Sequence, residues 1–274
     1  MRRSTTSGVT ETGRALNRRR LGAVLGAELV CAVLLVGGSQ TVPTGPAVAA
    51  PAASSVAPAS PVVITPDGRT TQLIDMGAPG GAALLDRIST ELPGATDAVT
   101  AFWGSRWPRQ INIVVAGSPE QFATLAGGGA DVAATTTADR IMFAPGAAVM
   151  NAADLRIVLR HELFHYAARA DTATDAPMWL TEGVADFVGR PPSPTRLTSG
   201  RLPTDVELAT AGPDRSAAYD RAWSFASYVA DAYGADRLRA LYLAACGHGH
   251  PDFPTAIRDA LGTDLPAVLD GWSR

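Results

Sequence analysis

The sequence predicts an α+β protein in which a small mixed sheet is followed by a mainly helical region. Short apolar runs bounded by turn residues fill residues 61–150, which is typical of strands. From residue 151 onward the apolar residues recur with helical spacing instead. Strands and helices followed by helices alone indicate two lobes, 61–150 and 151–274, and 274 residues are enough for both.

The first 49 residues differ in composition from the rest of the chain. Six arginines precede an apolar run over residues 21–38, and Ala-Val-Ala at 47–49 offers a cleavage motif of small residues. This order predicts export with the N-terminus left inside. Two interpretations stay open: a cleaved signal peptide over 1–49, or an anchor that keeps residues 21–38 in the cytoplasmic membrane. Both predict an extracytoplasmic protein, either secreted or anchored.

Residues 50–60, rich in Pro, Ala and Ser, predict a disordered linker. The lobe that follows is expected to alternate strands and helices, and turn and cap residues mark its boundaries. Its expected elements are two strands around the turn at 66–68, helices at 81–92 and 97–104, a strand at 110–117, a helix opened by Ser118 and Pro119, and a hairpin over 132–146. In the second lobe we expect helices at 153–170, 177–189, 216–233, 235–244, 253–261 and 265–272.

The first helix of the second lobe contains the motif His-Glu-Leu-Phe-His at 161–165. On a helix, His161 and His165 lie about 40° apart around the axis and about 6 Å along it, so both imidazoles can bind one cation. Glu162 is offset by about 100°, which is wrong for a ligand but suits a base that reaches a water on the metal. The spacing indicates a zinc site with a general base. The motif alone also fits two histidines in ordinary hydrogen bonds.

The next predicted helix supplies what the motif lacks. Glu182 follows His165 by seventeen residues, and the turn-like segment between them lets the second helix fold back. A carboxylate from a separate helix completes a His₂Glu set and leaves a fourth position open, as catalytic zinc requires. Asp186, one turn beyond Glu182, can accept a hydrogen bond from the far nitrogen of a liganding histidine.

HELFH followed by WLTEGVAD at 179–186 resembles the gluzincin metallopeptidases, in particular the bacterial peptidase MA-like family with H-E-x-x-H and W-L-x-E-G-x-A-[ED]. The resemblance covers about residues 141–233. It implies a zincin-like fold with a zinc cleft between the two lobes, and hydrolysis of a peptide or protein substrate by a zinc-activated water. The implied roles are His161, His165 and Glu182 as zinc ligands, Glu162 as general base, and Asp186 as hydrogen-bond partner of a ligand.

Two further roles follow from this resemblance. The strand at 140–143 is expected at the edge of the sheet, where it would line the cleft and pair with an extended substrate; a plain hydrophobic strand is the alternative.

Residues 219–225, YDRAWSF, resemble a Y-x-x-A-x-S-F stretch of the same proteins. Tyr219 is therefore the candidate that stabilises the oxyanion, with Tyr228 as the alternative, although both also fit as core residues.

Asp171 is a rival third ligand, because the metzincin pattern H-E-x-x-H-x-x-G-x-x-[HD] ends at this position. The glycine that turns the chain in that pattern is Ala168 here, and alanine favours continuing the helix. No methionine turn of the metzincin type follows either. We therefore expect Glu182, not Asp171, to complete the site.

Other functions are less well supported. The formal charge of −3 gives no basis for nucleic-acid binding. Residues 246–250, CGHGH, are interpreted as a loop and not as a second metal site, because of their glycines and Pro251. Residues 146–151 lack the glutamate of the G-x-M-E-N segment that holds the substrate amino terminus in aminopeptidases of this superfamily, so an aminopeptidase is disfavoured.

The competing functional hypothesis is a catalytically inactive, zinc-stabilised envelope protein that binds a partner. Glu162 argues against it, because a binding module needs no base beside an open metal position. The sequence leaves the oligomeric state open, and a monomer is the default expectation.

Overall fold

The computed structural model describes residues 30–31, 61–129, 131–192 and 199–274. The predicted export segment and linker lie outside the described residues, apart from Val30–Cys31. No helix in the described ranges is long and apolar enough to cross a membrane. The strands are β1 (Val30–Cys31), β2 (Val62–Ile64), β3 (Thr70–Asp75), β4 (Gln110–Val115), β5 (Val132–Thr136) and β6 (Ile141–Phe143).

The α+β class is confirmed: a small mixed sheet is followed by a mainly helical region. The helices are α1 (Gly81–Trp103), α2 (Pro119–Ala126), α3 (Ala152–Ala168), α4 (Met178–Gly189), α5 (Asp205–Ala209), α6 (Pro213–Tyr233), α7 (Ala235–Cys246), α8 (Phe253–Leu261) and α9 (Leu265–Ser273).

The six described strands form one sheet in the order β1-β5-β6-β4-β3-β2. β2 and β3 are antiparallel around Gly68, whose φ of 79° suits glycine in the predicted turn. β3, β4 and β6 are parallel, and β5 is antiparallel to β6 in the predicted hairpin.

The expected edge position of the strand at 140–143 is wrong. β6 lies between β5 and β4 and pairs with both. All three of its side chains, Ile141, Met142 and Phe143, are buried, as in a central strand covered on both faces. A strand whose backbone groups are paired on both sides cannot take up an extended substrate.

The two helices expected at 81–92 and 97–104 are one helix, α1, with Pro93 inside it. Proline removes one backbone hydrogen bond and usually ends or bends a helix. Here the buried positions continue across it with spacings of three and four residues, so tertiary packing keeps both halves on one axis. The buried positions include Leu84, Ile88, Leu92, Ala95, Val99 and Trp103.

The remaining α-helices agree closely with the prediction, except for one that was missed from the sequence; a 3-10 helix at Pro145–Val149 was not predicted either. α2 begins with Ser118, whose side chain accepts a hydrogen bond from the Gln121 backbone N–H, as expected. The missed helix is α5, which begins at Thr204. Thr204 and Glu207 form a capping box, and this Thr-x-x-Glu spacing was the signal that could have identified it.

α3 occupies the centre of the fold and packs against β5, α1 and α4. Its Phe164 ring packs edge-on against Trp103 of α1 and Tyr242 of α7, with ring centroids 5.6 and 5.3 Å apart. Such aromatic pairs add to the stabilisation from area burial. The helix that carries the HELFH motif is therefore fixed on several sides.

Candidate metal centre

Three side chains predicted as ligands converge in the protein interior. His161 and His165 project from one face of α3, with their Nε2 atoms 3.0 Å apart. Glu182 of α4 places Oε2 3.1 Å from Nε2 of His161 and Oε1 3.4 Å from Nε2 of His165. Within the described ranges, this is the one group of three or more His, Cys, Asp or Glu residues with ligand atoms close enough to share a metal ion.

The chemistry of this donor set fits zinc. Two imidazole nitrogens and one carboxylate oxygen are the ligands of His₂Glu zinc sites, which keep a fourth position for water or substrate. Burial opposes ionisation of Glu182, but the imidazoles of His165 and His161 hold its pKa at about 2. The site therefore presents a carboxylate in the interior, where a negative charge needs a cation beside it.

Asp186 orients one of the two histidines. Its Oδ1 lies 2.9 Å from Nδ1 of His161, and Asp186 itself is fully buried. The carboxylate accepts the Nδ1 proton, so Nε2 of His161 keeps its lone pair for a metal. Oδ2 of Asp186 lies 2.7 Å from Nη2 of Arg190, whose other nitrogen Nη1 lies 2.7 Å from Asp220.

Two glycines of α4 allow this helix to approach its neighbours closely. A Cβ at Gly183 would lie 2.6 Å from the backbone oxygen of Ala222 on α6. A Cβ at Gly189 would lie 2.9 Å from the backbone oxygen of Ile157 on α3. Both distances are too short for a carbon atom, so a larger residue would push α4 away from α6 at Gly183 and away from α3 at Gly189.

Glu162 is fully buried beside the cluster. One carboxylate oxygen, Oε2, accepts a hydrogen bond of 2.6 Å from the Thr136 hydroxyl at the end of β5. The other, Oε1, has no hydrogen-bond partner among the described residues. Thr136 was not identified from the sequence, because nothing in the sequence pairs a strand residue with a helix residue 26 positions later.

A cavity of about 30 Å³ adjoins the cluster, and His165, Thr136 and Arg169 are among its lining residues. His165 therefore lies between the other metal ligands and this cavity. Neither Thr136 nor Arg169 was singled out from the sequence.

The other candidate metal ligands lie outside the cluster. Asp171 is exposed and is not part of the ligand cluster, which agrees with the choice of Glu182. His248 and His250 lie near the backbone oxygens of Ala170 and Pro251 and form no ligand group within the described chain.

The two candidate tyrosines both lie on α6. Tyr219 is buried, on the helix that packs against α4, and its role stays a prediction. The hydroxyl of Tyr228 is packed against Gly271 of α9. This places the Tyr228 hydroxyl against the C-terminal helix, so Tyr228 is the weaker candidate for oxyanion stabilisation.

No protein-family model and no curated protein matches the chain. Among solved structures, the fold is similar to that of a mutant two-domain M1 zinc metallopeptidase bound to L-arginine. The TM-score is 0.50 and the sequence identity 16%, and the match covers 78% of this chain and 50% of the metallopeptidase chain. A mutant M1 zinc metallopeptidase from Deinococcus radiodurans gives a TM-score of 0.47 and 16% identity, over 78% of this chain and 51% of that chain.

This chain therefore spans about half the length of these M1 zinc metallopeptidases. At 16% identity the likeness concerns the fold alone. The chain shares a mixed α+β fold with this two-domain M1 zinc metallopeptidase over 78% of its own length.

Proposed function

We propose that this protein is an exported zinc metallopeptidase of the gluzincin type that hydrolyses peptide or protein substrates. The observation that carries the proposal is the convergence of His161, His165 and Glu182, whose ligand atoms all lie within 4.8 Å of one another. Glu162 stands beside them with one carboxylate oxygen unpaired among the described residues. The peptidase fold of the chain supports the same conclusion.

In this mechanism, His161, His165 and Glu182 would hold zinc, which would supply the Lewis acidity that polarises the scissile carbonyl and lowers the pKa of the attacking water. Glu162 accepts the proton of that water through Oε1, because Thr136 already occupies Oε2. The carboxyl group then donates the proton to the leaving amine. The Thr136 hydrogen bond restricts rotation of the carboxylate, so that Oε1 keeps its direction.

Other residues would orient the reacting groups. Asp186 holds His161 in the tautomer that presents Nε2 to the metal. We assign to Tyr219 the donation of a hydrogen bond to the developing oxyanion. Export rests on the arginines and the apolar run of residues 1–49, which lie outside the described part of the chain apart from Val30–Cys31.

An inactive zinc-stabilised binding protein is less well supported. A buried carboxylate oxygen without a partner costs folding free energy of about 1–3 kcal/mol. Glu162 carries such an oxygen within the described structure. A purely structural site gains nothing from it, whereas a general base needs an oxygen that is free to accept a proton.

The test uses the full chain loaded with zinc and casein as a broad substrate. Glu162→Gln is expected to keep its zinc and to lose proteolysis, because the amide cannot accept the proton. Glu91→Gln is the control, since Glu91 pairs with Arg156 at the surface, and it should cleave like the wild type. Undiminished cleavage by Glu162→Gln would remove Glu162 from the mechanism.

A further inference from the structure

The cavity beside His165 has a positively charged wall. Arg169, one helical turn beyond His165, is the C-cap residue of α3 and lines this cavity. None of the seven lining residues is acidic. The cavity wall therefore presents the guanidinium of Arg169 and no carboxylate.

The hydroxyl groups on the wall already have acceptors within the protein. A hydroxyl whose hydrogen is engaged has none to donate to a ligand. The acceptors are Glu162 Oε2 for Thr136, Asp139 Oδ1 or the backbone oxygen of Arg140 for Thr137, the backbone oxygen of Ala168 for Thr172, that of Met178 for Thr181, and Thr172 Oγ1 for Tyr242.

Arg169 differs from these hydroxyls in having an unused donor. Its Nη1 is buried and has no hydrogen-bond partner among the described residues. The guanidinium carbon lies 3.7 Å from the centroid of the Tyr166 ring, and the Tyr166 hydroxyl donates to the backbone oxygen of Gln110. Stacking on a fixed ring occupies one face of the guanidinium and leaves its N–H edges available.

A buried guanidinium nitrogen without a partner is destabilising. A shift of the Arg169 side chain that let Nη1 donate to an anion in the cavity would remove that penalty. A planar carboxylate matches the fork of an arginine and forms two parallel hydrogen bonds with it. A cavity of about 30 Å³ is large enough for a group of this size. A cavity of this volume has room for on the order of two water molecules, so it excludes a large side chain.

We propose that this cavity is a carboxylate-binding subsite, and that Arg169 selects substrates with a carboxylate close to the scissile bond. The inference rests on the proposed peptidase function and names its substrate class. The carboxylate belongs either to an Asp or Glu side chain or to the free C-terminus of the substrate. Both sources present the same group to Arg169.

The test compares matched peptides with the full, zinc-loaded chain. One pair carries Glu or Gln next to the scissile bond, and a second pair ends in a free carboxylate or an amide. The wild type is expected to cleave the charged member of one pair with a kcat/KM at least tenfold higher. The pair that shows this preference identifies the source of the carboxylate.

Arg169→Gln should lower kcat/KM for the charged peptide at least tenfold more than for the neutral peptide. Arg169→Lys should restore part of the preference, because it keeps the charge but loses the planar fork. Arg156→Gln is the control, since Arg156 lies on the same helix but pairs with Glu91 at the surface. Equal losses on both peptides, or no preference in the wild type, would overturn the proposal.

A binding measurement separates this inference from the proposed function. Calorimetry on the metal-free chain is expected to show tighter binding of the charged peptide, and Arg169→Gln should abolish the difference. If this discrimination holds while no peptide is cleaved by the zinc-loaded chain, the subsite stands and the peptidase function fails. Cleavage without discrimination in either assay would leave the peptidase and remove the subsite.

Discussion

Replacing Asp186 with asparagine tests how the metal ligands are oriented. Asp186 accepts from Nδ1 of His161 at 2.9 Å through Oδ1 and lies 2.7 Å from Arg190 through Oδ2. Asparagine has almost the same shape, but it has one acceptor oxygen and one NH₂ donor. It cannot satisfy both neighbours, because each of them needs an acceptor.

Either orientation of the introduced amide is unfavourable in the fully buried site. If the amide oxygen points towards His161, the amide NH₂ group faces the Arg190 guanidinium, so that two donors oppose each other. With its NH₂ towards His161, Nδ1 must become an acceptor, so the proton moves to Nε2 and blocks the lone pair that binds metal. Losing such an orienting partner typically costs 10–100-fold in metal affinity, which is about 1.4–2.8 kcal/mol.

The assay is zinc competition against a chromogenic chelator, which gives the zinc Kd of each variant. Asp220→Asn is the matched control: Asp220 also pairs with Arg190, but it is 47% exposed and has no described contact with His161. We expect Asp186→Asn to weaken zinc binding 10–100-fold and Asp220→Asn to change it less than threefold. Equal zinc affinities in the wild type and Asp186→Asn would refute the assigned role, as would equal losses in both variants.

Two further predictions concern helix packing and the general base. Gly183→Ala should lower the free energy of unfolding by about 1–3 kcal/mol, because its Cβ would lie 2.6 Å from the Ala222 oxygen. Gly94→Ala, with nothing within 4 Å, should raise it by about 0.5–1 kcal/mol in the same urea titrations. Thr136→Val should lower kcat about tenfold or more with little change in KM, since it removes the hydrogen bond to Glu162. Thr136→Ser keeps the hydroxyl and should keep most of the activity. A loss confined to KM would contradict this role of Thr136.

The elements that the sequence predicted well are those that depend on local patterns. α3 and α4 were found because their apolar residues recur with helical spacing, which agrees with the tertiary structure. The HELFH spacing places His161 and His165 on one face of any helix, whatever surrounds it. The partnership of Glu182 with the two histidines followed from the turn-like segment between the helices and from the family resemblance.

The parts that were wrong or missed depend on long-range packing. Two helices were expected at 81–92 and 97–104, but the buried face of α1 continues through Pro93 and joins them. The position of β6 between two strands is a property of the whole sheet, although its fully apolar triplet at 141–143 was a usable signal. Thr136 reaches the site through a contact across the fold that no sequence spacing encodes. Arg169 lies one helical turn beyond His165 on α3, so its place beside the site could have been found from helical spacing.

The proposed function depends most directly on a metal ion held by three named residues. The measurement is the zinc content per chain of the purified full-length protein, with circular dichroism to show that each preparation is folded. We predict close to one zinc per chain for the wild type and for His250→Ala, and a small fraction of that for His165→Ala. A well-folded wild type that binds no zinc, or a His165→Ala variant with full zinc content, would contradict the assignment of this metal centre.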